Sequence, residues 1–358
     1  MIRILHAADL HLDSPFASMR PDQAAARRQE QRELLFELVR RCNALDCDLL
    51  LLAGDLFDSE RVFPETLTAL RRALSGCRAP VFIAPGNHDP ICPGSPYQRQ
   101  DWPEQVHIFT HQRPESVLLE GVRVWGAAFR ESHSGPLLRG FRAAGGPVPE
   151  IMVVHGELNG GPSVYNPITE EDVRRSGLDY LALGHIHALQ VRKIGDTTVG
   201  NPGCPMGRGF DEAGEKGVLY VELDRKVCRA EPISLGARQY RILRVPAGEA
   251  PLENVLRALP ADSRRDICRI ILTGVCADPE LPALEAALRD RVYGLELIDR
   301  TEPPFELWAG QEADSLRGAF LRRMKQDWDR APEQEREKIA LAVRIGLAVM
   351  DGREVPEC

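Results

Sequence analysis

Nowhere in this 358-residue chain is there an apolar run approaching the ~20 residues that a helix needs to cross a bilayer. A helical membrane span is thereby excluded. The opening "MIRILHAADL" brings in polar residues too early for the apolar core of a secretory signal. Positive charge is not in excess either: 45 Lys and Arg stand against 53 Asp and Glu, a formal net charge of -8. Any polyanion must therefore be held by a local patch or by bound cations, because no basic tail is present. The 9 cysteines are scattered, odd in number and without a CxxC pair. No two have the spacing of thiolate metal ligands, and the pattern predicts reduced thiols in a cytoplasmic protein. Internal repeats and low-complexity segments are also missing.

What remains is ordinary globular material, 43% hydrophobic and 27% charged, long enough for about two domains. Short apolar runs recur, each ending in a polar cluster. Ile2–Ala8 predicts a strand that ends in Asp9 and His11, followed by a helix over Pro21–Ala44 with Leu34, Leu35, Leu38, Val39 and Cys42 on one face. Leu49–Ala53 is continuously apolar, as a strand covered on both faces should be. A helix carrying Phe63, Leu67, Leu70 and Leu74 comes next, and "APVFIAPGNHD" repeats the strand-then-polar pattern. Strand, helix, strand argues for a parallel α/β core with polar residues at the carboxyl ends of the strands, where open sheets place ligands. Further on, "SVLLEGVRVWGAAF" reads as a hairpin turning at Glu120-Gly121, and "EIMVVHGEL" and "DYLALGHIH" as strands ending in histidine. "KIGDTTVGNPGCPMGRGF" and "KGVLYVEL" add strands joined by a glycine-rich loop, closing a first domain over 1–235.

A small α+β cap is expected over 236–303. Its strands are Tyr240–Val245, Asp266–Thr273 and Leu295–Asp299, and its helices Leu252–Leu259 and Pro279–Asp290. "TEPPF" then reads as a linker to a helical segment over 304–358. One stripe of that segment carries Leu316, Phe320, Leu321, Met324 and Trp328, and another Ile339, Val343, Gly346, Leu347 and Met350.

The chemistry gathers in "LALGHIHALQ". Alternate residues of an extended chain point the same way, so His185 and His187 can present both imidazoles to one point. A metal there needs more ligands, and the other strand ends offer them: Asp9 and His11, Asp55 with Asp58, Asn87 with His88 and Asp89, and His155. Singly, each has a plainer explanation, since "GNHD" makes a good turn and a lone histidine after a strand a good polar cap. Five such groups in one order are not explained that way. Oxygen and imidazole donors without thiolate suit hard-to-borderline divalent ions. A carboxylate shared by two ions about 3.5–4 Å apart makes a site for in-line displacement at phosphorus. Mn²⁺ is the first choice, for octahedral mixed nitrogen and oxygen coordination, and Fe²⁺ or Zn²⁺ suit the same donors.

"DLH", "GDLFD", "GNHD", "VVHGE" and "GHIH", in this order, resemble the calcineurin-like metallophosphoesterases over roughly residues 1–235. "HAADLHLDSPF" and "GDLFD" are most similar to the SbcD-type DNA-repair nucleases, in particular their bacterial YhaO-like branch. The resemblance implies a four-layer αββα sandwich with the site at one rim. It implies that Asp9, His11, Asp55 and His187 hold one ion, and that Asp55 again, Asn87, His155 and His185 hold the other. A hydroxide between the ions would attack phosphorus, while His88, outside the ligand set, assists the leaving oxygen. It implies DNA as substrate, in repair or end processing. An SbcC-like coiled-coil ATPase would be clasped by the C-terminal helices, and the chain would form a homodimer.

One position departs from that pattern. Nucleases of the family that cut double-strand ends typically carry histidine after "GDLF", and this chain has Asp58. In related phosphatases an aspartate there bonds the histidine of "GNH", which implies an Asp58–His88 pair favouring the imidazolium. Hydrolysis of a phosphomonoester or a cyclic nucleotide by the same fold is the competing reading. A non-catalytic scaffold would be expected to have lost ligands, and none is missing. For substrate contacts, Tyr97 and Arg99 of "DPICPGSPYQRQDW" and Arg208 of "NPGCPMGRGF" are candidates to stack a base or bind phosphate. His6 is expected to be a hydrogen-bonded core residue, and His107, His111 and His133 lie outside the motifs.

Overall fold

The predicted apolar runs become strands whose two faces are both covered. The structure is a computed structural model that describes residues 1–158, 161–224, 227–302 and 306–352. Strands β1 (Ile2–Ala7), β2 (Leu49–Leu52), β3 (Val81–Ile83) and β4 (Val106–Ile108) run parallel, side by side. Helix α1 (Pro21–Ala44) links the first two strands and α2 (Pro64–Ser75) the next two. A second sheet begins with the hairpin of β5 (Glu115–Leu119) and β6 (Val122–Gly126), which turns at Glu120-Gly121. Strand β7 (Glu150–His155) follows, then the short pair β8 (Glu157–Leu158) and β9 (Pro167–Ile168), and helix α3 (Glu170–Ser176). Strands β10 (Tyr180–Gly184), β11 (Gln190–Ile194) and β12 (Thr197–Asn201) complete this sheet in the order β11-β12-β10-β7-β6-β5. The chain then returns to the first sheet through β13 (Val218–Asp224) and β14 (Val227–Ile233), giving the order β14-β13-β1-β2-β3-β4.

Alternation along these strands divides the core into three apolar layers. Leu50 and Leu52 pack outward with Leu35 and Leu38 of α1 and Leu70 and Leu74 of α2. Leu49 and Leu51 face the other way and meet Val124, Val153 and Ala182 of the second sheet. Met152, Val154, Leu181 and Leu183 pack on the far side with Val173 of α3. Helix, sheet, sheet, helix is the four-layer αββα arrangement. Among the elements without a counterpart in the sequence reading, three have a plain physical reason. β4 is only three residues long, β14 is mostly exposed, and α3 has a single apolar residue, Val173. A capping box between Thr169 and Asp172 starts that helix in place of an apolar face.

Beyond Leu235 a three-stranded sheet is built from β15 (Tyr240–Pro246), β16 (Ile267–Val275) and β17 (Gly294–Glu302), in that order. Helices α4 (Pro251–Ala258) and α5 (Leu281–Leu288) connect them. The chain forms two compact units. The first comprises Met1–Leu243, Pro260–Arg269 and Leu288–Glu296, and the second Arg244–Leu259, Ile270–Ala287 and the rest from Leu297. In the second unit, α6 (Leu316–Arg330) and α7 (Glu333–Met350) pack through Leu321, Val343 and Leu347, with Phe320 and Met324 alongside. A side chain at Gly346 would stand 2.5 Å from the Phe320 ring, so glycine lets the two helices approach. Part of the stripe expected to face a partner is thus used within the chain. Pro303–Phe305 of the expected linker, and with them the boundary at 303/304, lie outside the described residues. No helix among the described residues is long and apolar enough to cross a membrane. The 8 described cysteines are free.

His6 is buried in β1, its Nδ1 2.9 Å from the Tyr180 hydroxyl. Burial pushes its imidazole down from 6.5 to about 3. The unfolded chain therefore takes up a proton below 6.5 that the folded chain refuses until about 3. The contribution is fully present above 6.5 and shrinks as pH falls, by about 2 kcal/mol between pH 7 and 5. Urea unfolding of His6→Gln is expected to show a loss between those pH values smaller by about that amount, the other histidines cancelling in the comparison. Equal losses in variant and parent would mean that His6 does not titrate this way.

Candidate metal centre

Four of the predicted ligand positions sit at strained backbone. Asp9, His11, Asp55 and His185 have φ of 52°, 43°, 49° and 93°, a region non-glycine residues rarely occupy. Such strain persists where the surrounding structure enforces it, and it collects at functional sites. Glycine permits the crowding. A Cβ on Gly54 would stand 2.4 Å from His155 Nδ1, and one on Gly86 would stand 2.2 Å from Asp55 Oδ1.

The predicted ligands converge into two groups, and His11, Asp58 and His88 form a third set of donors just as close together. Asp9, His11 and His187 offer ligand atoms within 4.8 Å of one another, and so do Asp55, His155 and His185. Asn87 joins the second group, its Oδ1 3.0 Å from His155 Nε2 and 3.1 Å from His185 Nδ1. In the first, His11 Nε2 and His187 Nε2 are 3.1 Å apart. Asp55 Oδ2 lies between the groups, 3.3 Å from His155 Nε2 and 3.8 Å from His11 Nε2. Asp9, His11, Asp55 and His155 are all buried.

These residues fit a pair of divalent ions. Ligands about 2.0–2.1 Å from an ion and at right angles to one another lie about 3 Å apart, which matches the spacings here. Proton positions agree. His155 Nδ1 is 2.9 Å from the Ala53 carbonyl, which can only accept, so Nδ1 carries the proton and Nε2 keeps a lone pair for a cation. His187 is set the same way by the Glu212 carboxylate, 2.7 Å from its Nδ1. The Arg208 guanidinium, 3.1 Å from that nitrogen, gives its proton to Glu212 at 2.7 Å. The charge balance points the same way. Burial pushes the His155 imidazole down, yet the Asp55 and Asp9 carboxylates outweigh it and raise it to about 9. A cavity that draws a proton so strongly has negative charge for a cation to neutralise.

His88 lies at the exposed edge of this cluster, and its backbone N–H donates to Asp55 Oδ1 at 3.0 Å. The expected Asp58–His88 side-chain pair is not formed. His88 Nδ1 instead donates to the Asp58 backbone carbonyl at 2.9 Å. The Asp58 carboxylate meets Arg208 Nη1 at 3.0 Å, Ser14 Oγ at 3.1 Å and His11 Nδ1 at 3.3 Å. The guanidinium is permanently charged and gives Asp58 a charge-assisted bond, and it is held in place by Glu212.

Tyr97, expected at the substrate, is buried, and its hydroxyl donates to Asp89 Oδ2 at 2.7 Å. Asp89 also accepts from the backbone N–H groups of Leu56, Phe57 and Gly86, tying the "GNHD" turn to the "GDLF" turn. Arg99 gives Nη2 and Nε to the carbonyls of Glu60 and Gly94, at 2.9 and 3.0 Å, which fastens its own loop. Arg208 does lie beside the cluster, shared between Asp58 and Glu212. His111 pairs with Glu115, while His133 stacks on Tyr165, whose ring lies 4.9 Å from that of His185. Glu212 and Tyr165 were not singled out by sequence. Glu212 has no apolar run before it and lies 25 residues from the histidine it orients.

Glu212→Gln is expected to weaken Mn²⁺ binding about 10–100-fold, the usual cost of removing a carboxylate that orients a ligating histidine. Calorimetric titration of the metal-free protein checks this, and an unchanged affinity would assign Glu212 to packing alone.

Residues 2–189 match the calcineurin-like phosphoesterase family, and the chain belongs to it. It is similar to the uncharacterized metallophosphoesterase YhaO of Bacillus subtilis, 36% identical over 241 residues that cover 62% of this chain and 57% of that protein. The chain thus spans less than two thirds of YhaO's length. It is 28% identical over 346 residues to the DNA double-strand break repair protein Mre11 of Methanopyrus kandleri, covering 86% and 74% of the two chains. With the D component of the nuclease SbcCD from Rhodobacter capsulatus it shares 27% identity over 321 residues, or 72% and 75%. Among solved structures, TT1561 of Thermus thermophilus aligns with a TM-score of 0.42 at 14% identity, covering 64% of this chain and 98% of that one.

Proposed function

We propose that this chain is a two-metal-dependent DNA phosphodiesterase, acting in repair or end processing. The observation that carries the reading is the convergence of seven side chains from five separate segments into two groups sharing Asp55. On this reading Asp9, His11, Asp55 and His187 hold one ion, and Asp55, Asn87, His155 and His185 the other. Divalent ions, with Mn²⁺ preferred by this donor set and Fe²⁺ or Zn²⁺ compatible with it, supply an acidified water and neutralise charge on the phosphate when bound.

The remaining chemistry belongs to the chain. Ala53 and Glu212 keep the His155 and His187 Nε2 lone pairs directed at the cluster. With the His88 Nδ1 proton on the Asp58 carbonyl, Nε2 is the nitrogen that binds and releases a proton, as an acid for the leaving oxygen must. With a net charge of -8, grip on a polyanion depends on the metal centre and nearby arginines rather than on a basic face.

DNA as substrate is supported by similarity to proteins named for double-strand break repair and for nuclease activity. An SbcC-like coiled-coil ATPase, bound through the C-terminal helices, and a homodimer belong to the same reading. Free cysteines support a cytoplasmic setting. Asp58 favours the second reading, a phosphomonoesterase or cyclic-nucleotide phosphodiesterase. Mn²⁺-dependent cleavage of single- and double-stranded DNA, set against turnover of nitrophenyl phosphate and cyclic nucleotides, separates the two. Copurification of the ATPase with and without residues 304–358 tests the partner, and retention by the shortened chain would contradict the helix assignment.

A further inference from the structure

A cavity of about 410 Å³, walled entirely by residues of the first compact unit, carries an aromatic lining from Phe210, Tyr240 and Tyr293. The Phe210 ring meets Tyr240 edge-on at 5.1 Å and has the Arg269 guanidinium over it at 4.1 Å. Tyr293 is backed by Arg238 at 3.4 Å, and Arg238 is itself fixed by Glu30 at 2.6 Å. The rings are therefore held by cation–π contacts that cost little to keep. The volume is that of a small-ligand site.

The polar lining says what the ligand is not. Arg269, the cation lining the cavity, is paired with Glu296 at 2.9 Å, and Asp211 adds a further negative charge. A phosphate would be repelled there. A flat, neutral group with donors and acceptors on its edge would be accepted, stacking on the rings and bonding Gln23 or Asp211.

A neighbouring cavity lies against residues that contact the metal centre. It is lined by Asp58, Arg208 and Glu212, whose side chains touch His11 and His187, and it shares Ser18, Gly209 and Asp211 with the aromatic cavity. The two cavities therefore abut along these residues, on the same side of the metal centre as Arg208. We infer that the aromatic cavity receives a nucleobase of the strand whose phosphate lies at the metal centre. This rests on the phosphodiesterase reading and narrows its substrate to esters that carry a base near the scissile phosphate.

The test uses the full-length protein with Mn²⁺ and oligonucleotides with one abasic residue placed at successive positions. For the parent protein, KM is expected to rise about ten-fold at one position relative to the scissile bond, the usual loss when a stacked base is removed. Phe210→Leu, which keeps apolar bulk but not the π face, should raise KM for intact DNA about ten-fold more than it raises KM for bis-nitrophenyl phosphate. It should also no longer respond to the abasic residue at that position. If DNA is cleaved but the parent is indifferent to abasic residues everywhere, or Phe210→Leu has the parent's KM, the cavity inference is overturned and the phosphodiesterase reading survives. Turnover of bis-nitrophenyl phosphate with no cleavage of any DNA overturns both.

Discussion

Asp55→Asn is expected to lower phosphodiester hydrolysis by on the order of 10³-fold and to leave the protein unable to retain two ions through dialysis. Asp55 Oδ2 is the carboxylate oxygen within 4 Å of imidazole nitrogens from both groups, His155 at 3.3 Å and His11 at 3.8 Å. Its other oxygen accepts the His88 N–H at 3.0 Å. An asparagine keeps the volume but removes the charge and turns one oxygen into a donor, so a shared ligand becomes at best a one-sided one. Of the proposed ligands only Asp9 then remains as a carboxylate to balance two dications. Elemental analysis alongside turnover checks both halves. A variant with two ions per chain and parental activity would remove Asp55 from the bridging role.

His88→Asn should behave differently, losing about 10²–10⁴-fold in kcat on DNA while keeping its metal content. His88 stands outside the two groups that Asp55 bridges, in a third set with His11 and Asp58, and its Nδ1 is committed to the Asp58 carbonyl. Its Nε2 proton matters only where the leaving oxygen is too basic to depart as an anion. A nitrophenolate leaves unaided, so the loss on bis-nitrophenyl phosphate should be much smaller than on DNA. Equal losses on both substrates, or loss of an ion, would make His88 a structural or ligating residue instead of an acid.

Much of this centre is legible in the primary sequence because each ligand lies immediately after a short apolar run. Leu49–Leu52 announces Asp55, Val81–Ile83 announces Asn87, and the runs before His155 and His185 do the same. The polar residues that follow a buried strand emerge at one sheet edge whatever the rest of the chain does. β4, β14 and α3 could not be read that way, being too short or too polar to show a period. The α6 stripe could be read, but not its occupant: Phe320 and Leu321 belong to a cluster completed by Val343 and Leu347.

The strand order of the ligands, and the pairing of imidazole with carboxylate but no thiolate, were thus determined by the linear sequence, because strand burial and residue chemistry are local properties. Tertiary structure alone decided where three side chains point. Tyr97 turns inward to Asp89 rather than outward to a substrate, Asp58 reaches Arg208 150 residues away, and Glu212 takes His187. Those choices depend on which charges and donors the finished fold sets within about 3 Å of each other, and a motif read along the chain carries no record of that distance.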